Sequence, residues 1–285
     1  MHYYLTEGLQ EAAQREYIDN HSFAEAVESQ INLVKAGNGG KYMVFSRVSK
    51  DELTKIDQIR DAKYKSLRFL YHAHQQTLVV KIMPDPKHEL ASSVFASLLW
   101  EKITPISLRR ELVDMRGTRY DGLAGFSKEA HSAFKPKSSR PRGTDWPTLV
   151  IETGVPETLD RLRVDAHWWL TNSLGAVKIV LLFSITEVDH TILIEKWAMD
   201  GLENLKSTQQ HPLPTEMAPS LMYAITIPQP VEVQRSLSLS FAQVFDHDPF
   251  QVQDDDKNED SPERNIVFTP LDLSEWAADI WQSAQ

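Results

Sequence analysis

The segment from Trp146 to Ile185 constrains this chain most, because it reads as strand, helix and strand, with one acid where the first strand ends. Leu149-Val150-Ile151 is an apolar strand that delivers Glu152 to its C-terminal end, and Gly154 and Pro156 then break the strand and start a helix. The helix is expected from about Pro156 to Thr171, with Leu159, Leu162, Ala166, Trp169 and Leu170 spaced as one buried face. Ala176 to Ile185 is the most strongly β-forming run of the chain, nearly continuous in apolar residues. Open α/β sheets bind ligands beyond the carboxyl ends of their strands, so Glu152 is placed as a metal ligand or general base would be. A strand–helix–strand core flanked by helices implies a mixed-sheet α/β or α+β domain.

Around this unit, periodicity predicts helices over 5–16, 21–35, 50–60, 88–102 and 272–281. The second carries Phe23, Val27, Ile31 and Val34 at helical spacing, with Asn20 or Ser22 as cap. Strands are expected at 42–48, 67–71, 77–82, 132–134, 191–197 and 221–227. The pair 67–71 and 77–82 reads as a hairpin with a polar, solvent-facing tip that includes His72 and His74. Residues 103–130 mix strand and turn, 136–147 form a loop, 200–219 a polar insertion, and 237–244 a strand or a helix.

Composition excludes several classes. The chain has no cysteine, which removes disulfides, thiolate nucleophiles and cysteine-bound zinc and points to a reducing, intracellular and cytoplasmic setting. No run approaches the roughly 20 apolar residues that span a bilayer, and the N-terminal residues lack a basic stretch before an apolar core. Forty acids against 30 Lys and Arg leave a net charge of −10, which disfavours nucleic acid, since phosphates are bound by clustered cations. Segment 252–263 carries much of the excess acid as a solvated loop. Against that trend, 135–142 (Lys-Pro-Lys-Ser-Ser-Arg-Pro-Arg) is basic and lies just upstream of Glu152. Lys135, Arg140 and Arg142 there are candidates to steer a phosphate-bearing substrate, and Trp168 is a candidate to stack on a base.

Five pieces, in order, carry a family likeness: His88-Glu-Leu-Ala, Ser127-Lys-Glu-Ala-His-Ser-Ala-Phe-Lys-Pro136, Trp146-Pro-Thr-Leu-Val-Ile-Glu152, Leu162-Arg-Val-Asp-Ala-His-Trp-Trp169 and Val177-Lys-Ile-Val180. Together they resemble a group of fungal proteins related to the restriction-endonuclease-like, or PD-(D/E)XK, superfamily, with the Uma2-like proteins as bacterial relatives. The resemblance covers roughly 85–200. It implies a restriction-endonuclease-like α/β core, a central mixed sheet flanked by helices. Residues 1–84 would add N-terminal helices and a hairpin, and 201–285 a C-terminal β/α extension, all in one unit. In that superfamily an acid on one strand and an acid-x-Lys on the next hold Mg²⁺ and position water. By position Glu152 matches the second acid. The first falls at His131, and the lysine position is Gly154.

Those departures leave three functions open. The first is a nuclease, with Glu152 and Asp165 as Mg²⁺ ligands and Lys178, on the next strand, activating water. The second is a metal-free enzyme on a small-molecule substrate, with His131 and Glu152 as an acid/base pair, since imidazole titrates near neutral pH. The third is a catalytically silent interaction protein, with Glu152 paired to Lys178 or Arg163 or capping the next turn. Magnesium prefers oxygen ligands in octahedral geometry, so replacing an aspartate by His131 weakens the first. His167, beside Asp165, is expected on a polar helix face, and Trp169 in the core.

Overall fold

A computed structural model describes residues 2–82, 86–155, 158–202, 216–228, 233–248 and 265–282. The acidic stretch 252–263, most of the insertion at 200–219, and Pro84 and Pro156 lie outside them. The N-terminal half contains α1 (Tyr3–Thr6), β1 (Ala13–Glu16), α2 (Asn20–Lys35), β2 (Tyr42–Ser46), α3 (Lys50–Lys63), β3 (Arg68–His72), β4 (Thr77–Lys81) and α4 (Pro86–Ile103). Short strands follow: β5 (Leu112–Asp114), β6 (Arg119–Asp121), β7 (Phe126–Glu129) and β8 (Ser132–Pro136). The strand–helix–strand unit is β9 (Leu149–Gly154), α5 (Leu159–Asn172) and β10 (Ile179–Thr186). The chain continues through β11 (Thr191–Leu202), β12 (Glu216–Ile227), β13 (Leu237–Ser240), α6 (Phe241–Phe245), β14 (Asn265–Phe268) and α7 (Pro270–Gln282).

Two sheets organise these elements. One runs β12-β11-β10-β9-β8-β5, and the other β1-β2-β4-β3-β7-β6. In the first, β9 and β10 are parallel while their outer neighbours are antiparallel, so the sheet is mixed. Helix α5 covers one face, and α4 and α7 the other. The expected fold class, a central mixed sheet flanked by helices, is therefore present.

Alternation explains why β9 and β10 are apolar throughout. Successive side chains leave a strand on opposite faces. Ile179, Leu181, Phe183 and Ile185 pack with Phe95, Leu99 and Trp276 on one side, while Val180 and Leu182 meet α5 on the other. Likewise Leu149 and Ile151 face α4, and Val150 faces α5. Glu152 has the parity of Val150, so a carboxylate occupies a slot that the pattern assigns to a buried apolar residue.

The second sheet lies against this same layer. Met43, Phe45, Phe69, Tyr71, Leu78 and Val80 pack on α2 and α3, while Tyr42, Val44, Leu70, Val79 and Phe126 join the core around α5. By the same parity Lys81 and Lys128 point toward that core. Helix α3 is closed by a capping box, with Ser49 and Glu52 bonding each other's backbone N–H. On the far side of β7, Glu129 accepts from Arg60 and Arg119, and Arg119 makes a two-pronged pair with Asp57 of α3 at 2.6 Å.

Several expectations are corrected. The 5–16 helix is only the single turn of α1, because Gly8 takes φ +68° and passes so close to Arg161 that a Cβ would meet its Cα at 2.9 Å. Leu5 and Leu9 are both buried, and 13–16 becomes a strand parallel to β2. Asp19, not Asn20 or Ser22, caps α2, accepting from the Ser22 N–H at 2.8 Å. The mixed region 103–130 resolves into β5, β6 and β7, of which β6 and β7 join β3 in the N-terminal sheet. Residues 237–244 are both strand and helix.

Candidate functional site

Glu152 is 1% exposed and lies at the centre of a buried ion cluster. Its Oε2 is 3.4 Å from Lys81 Nζ and its Oε1 3.5 Å from Lys128 Nζ, and the Trp169 indole N–H donates to Oε1 at 2.9 Å. Lys128 Nζ also lies 3.0 Å from Asp165 Oδ1, which Arg161 Nη2 approaches at 3.3 Å. Among the described residues that oxygen accepts no hydrogen bond, so these contacts are ionic. Arg161 and Asp165 are one helical turn apart on the buried side of α5. Arg161 also donates to the carbonyls of Tyr4 and Glu7 at 2.8 and 3.0 Å, tying the N-terminal turn over the cluster.

The electrostatics follow from burial and pairing. Burial alone would raise the Glu152 carboxyl, but the ammonium groups of Lys128 and Lys81 and the Trp169 N–H outweigh it and hold the group below the ordinary range. Burial pushes the Lys81 ammonium down, only partly opposed by Glu152 and Asp165. The Tyr42 phenol is driven well up by burial, with Asp165 adding to the effect.

The predicted residues fall into two groups. Glu152 and Asp165 are brought together through Lys128. His131 is buried and directly precedes Ser132, the first residue of β8, which pairs with Ile151. Lys178 is not in the cluster. It aligns with Thr148, four residues from Glu152 along β9, which is about 13 Å at strand rise. Arg163, proposed as a partner of Glu152, instead pairs with Glu195 at 2.6 Å.

The substrate-binding candidates are mostly structural. Lys135 is buried and donates to the Arg142 carbonyl. Arg140 is buried and donates to the carbonyls of Trp146, Pro147 and Ala176 and to Asp246, stitching four segments together. Arg142 remains exposed. Trp168 is fully buried within an aromatic group with Trp146 and Trp169, so no base can reach its face. His72, expected at a solvent-facing tip, is buried with Nε2 3.1 Å from the Ala124 carbonyl. His167 is half-buried against Trp197, and burial lowers its pKa.

The absence of a lysine at Gly154 has a physical reason. A Cβ there would sit 2.6 Å from Thr158 Oγ1 and 3.1 Å from Leu162 Cδ1, so no long side chain fits beneath α5. Lys81 and Lys128 bring ammonium groups to Glu152 from the other sheet. Sequence reasoning missed both as site residues. The signal for Lys81 was a lone cation inside the apolar run Leu78-Val-Val-Lys-Ile82.

The Mg²⁺ that the resemblance implies does not fit this donor set. The ion takes six oxygens at about 2.0–2.1 Å, whereas the cluster offers two carboxylates already facing three cations. Among the described residues, no group of three or more acids or histidines could hold a metal.

Comparison with known proteins adds little to this geometry. No protein-family model and no curated protein matches the chain. One similar solved structure is a DUF820 protein from Anabaena variabilis, itself only provisionally described as a nuclease. It is 13% identical and covers 73% of this chain and 90% of its own, with a TM-score of 0.38. At that level the likeness carries no argument about the site. No described helix is long and apolar enough to cross a membrane.

Proposed function

We propose that this chain is a nuclease-fold protein, of the fungal group its motifs resemble, that acts by binding a partner and not by hydrolysing phosphodiesters. In this reading the acid position on β9 has become an internal ion bridge. The supporting observation is the environment of Glu152: both oxygens are engaged, by Lys81, Lys128 and Trp169, beneath a surface that leaves 1% of the residue exposed. A hydrolytic Glu152 would have to release two ammonium groups before meeting a metal or a water.

The metal-free acid/base reading is less well supported. A general base works best with a pKa near the operating pH, and Glu152 is held in the opposite direction, firmly ionised and weakly basic. Burial of Lys135 and Arg140 removes half of the basic run's four cations from any phosphate-binding role. The edge strand β12 meanwhile leaves Met217, Leu221 and Met222 about half exposed, in keeping with a protein that meets others through its surface.

The test is incubation of the full chain with supercoiled plasmid, single-stranded DNA and RNA in Mg²⁺ or Mn²⁺, beside a Glu152→Ala control. No divalent-dependent cleavage above the no-protein background is expected from either protein. Divalent-dependent cleavage abolished by Glu152→Ala would overturn the proposal.

A further inference from the structure

The cluster around Glu152 carries more positive than negative charge. Among the described residues, Lys81, Lys128 and Arg161 face Glu152 and Asp165, three cations against two carboxylates, and all five side chains are at least 93% buried. An uncompensated charge in so dry a place is costly. Two buried donors are also unused: among the described residues the Tyr42 hydroxyl and the Arg161 Nε–H have no hydrogen-bond partner, beside the similarly unbonded Asp165 Oδ1. Tyr42 is opposite Lys81 across β2 and β4, on the same face of the sheet, and its phenol feels the charges of Asp165, Arg161 and Glu152.

The contacts are slack as well. Charged N–H···O bonds close to about 2.7–2.9 Å, yet three of the four ion pairs here stand at 3.3–3.5 Å. Excess cation, idle donors and loose pairs occur at one place. We infer that the cluster is a binding site for one small monovalent anion of halide type, held by Tyr42, Arg161 and Lys81. Buried water would satisfy the donors but would leave the third cation unbalanced, and an anion answers both needs. The inference uses the same ion cluster as the functional proposal but not the lack of hydrolysis, so a positive nuclease assay would leave it standing.

Bromide is the probe. The full chain is refolded from urea in sodium bromide, chloride or fluoride at matched ionic strength, which loads a closed site during folding, and its stability is measured in each. It is also crystallised from bromide for anomalous diffraction. One anomalous peak within hydrogen-bond reach of Tyr42 Oη and Arg161 Nε is expected, with stabilisation saturating in bromide. Removing one donor to a charged partner weakens binding about ten-fold or more, so Tyr42→Phe should raise the half-saturating bromide concentration by that factor. Lys81→Met, which balances the cluster, should abolish the effect. No peak in the cluster on the unaltered chain, or a halide response identical in wild type and Tyr42→Phe, would overturn the inference. The diffraction measurement needs no variant and decides the matter even where a substitution prevents folding.

Discussion

Replacing Glu152 by Gln keeps the size of the side chain and its bond from Trp169 while removing one charge. The cluster then holds three cations against one carboxylate, with Lys81 and Lys128 at 3.4 and 3.5 Å from an amide. Breaking a buried ion pair by removing one partner costs about 3–5 kcal/mol. A folded domain holds about 5–15 kcal/mol in all, so Glu152→Gln should lose about a fifth or more of the stability and melt of the order of 10 °C lower. The assay is urea unfolding followed by tryptophan emission, which reports the site because Trp169 bonds Glu152. A second substitution separates charge from shape. Lys81→Met in the Glu152→Gln background should recover part of the loss, giving a coupling energy of about 1–3 kcal/mol in a double-mutant cycle. A Glu152→Gln protein within about 1 kcal/mol of wild type would refute the internal-bridge reasoning. A more stable one would point to a carboxylate kept for chemistry at a cost in stability.

Stability should also depend on pH through two members of the cluster. Glu152 is depressed in the folded state, so its contribution is complete above its unfolded pKa of about 4.3 and is lost as pH falls through the folded value. Lys81 is depressed below its unfolded value of about 10.4, so the folded state binds fewer protons in that window and stability gains with rising pH. The stability of wild type relative to Lys81→Met should therefore rise toward pH 10, and parallel pH profiles would contradict this. Arg140→Ala strands three carbonyls and Asp246 and should cost about 2 kcal/mol or more. Exposed Arg142→Ala should change the melting free energy by under about 0.5 kcal/mol, and equal losses for the two would count against the stitching role of Arg140. Gly154→Ala must displace Thr158 Oγ1 from 2.6 Å and should cost about 1–3 kcal/mol; a neutral result in thermal melts would show that the space beneath α5 can yield.

What could be read along the chain was whatever local pattern encodes. The strand–helix–strand unit, the long helices α2, α3 and α4, the hairpin at 68–81 and the burial of Trp169 all follow from periodicity within a dozen residues. Short β6 and β7 were not legible, since three or four residues flanked by turns carry too little alternation to register. The position of Glu152 at a buried strand end was equally clear from β9 alone. Its partners were not. Lys81 and Lys128 are 71 and 24 positions away, and only the packing of the N-terminal sheet against α5 brings them to one carboxylate. Lys178 immediately precedes β10, the strand adjacent to Glu152, but register places it at the other end of β9. Local pattern alone places one carboxylate at the end of an apolar strand in an α/β core. Its meeting with ammonium groups comes from packing between distant elements, because charge pairing depends on distances that no local pattern specifies.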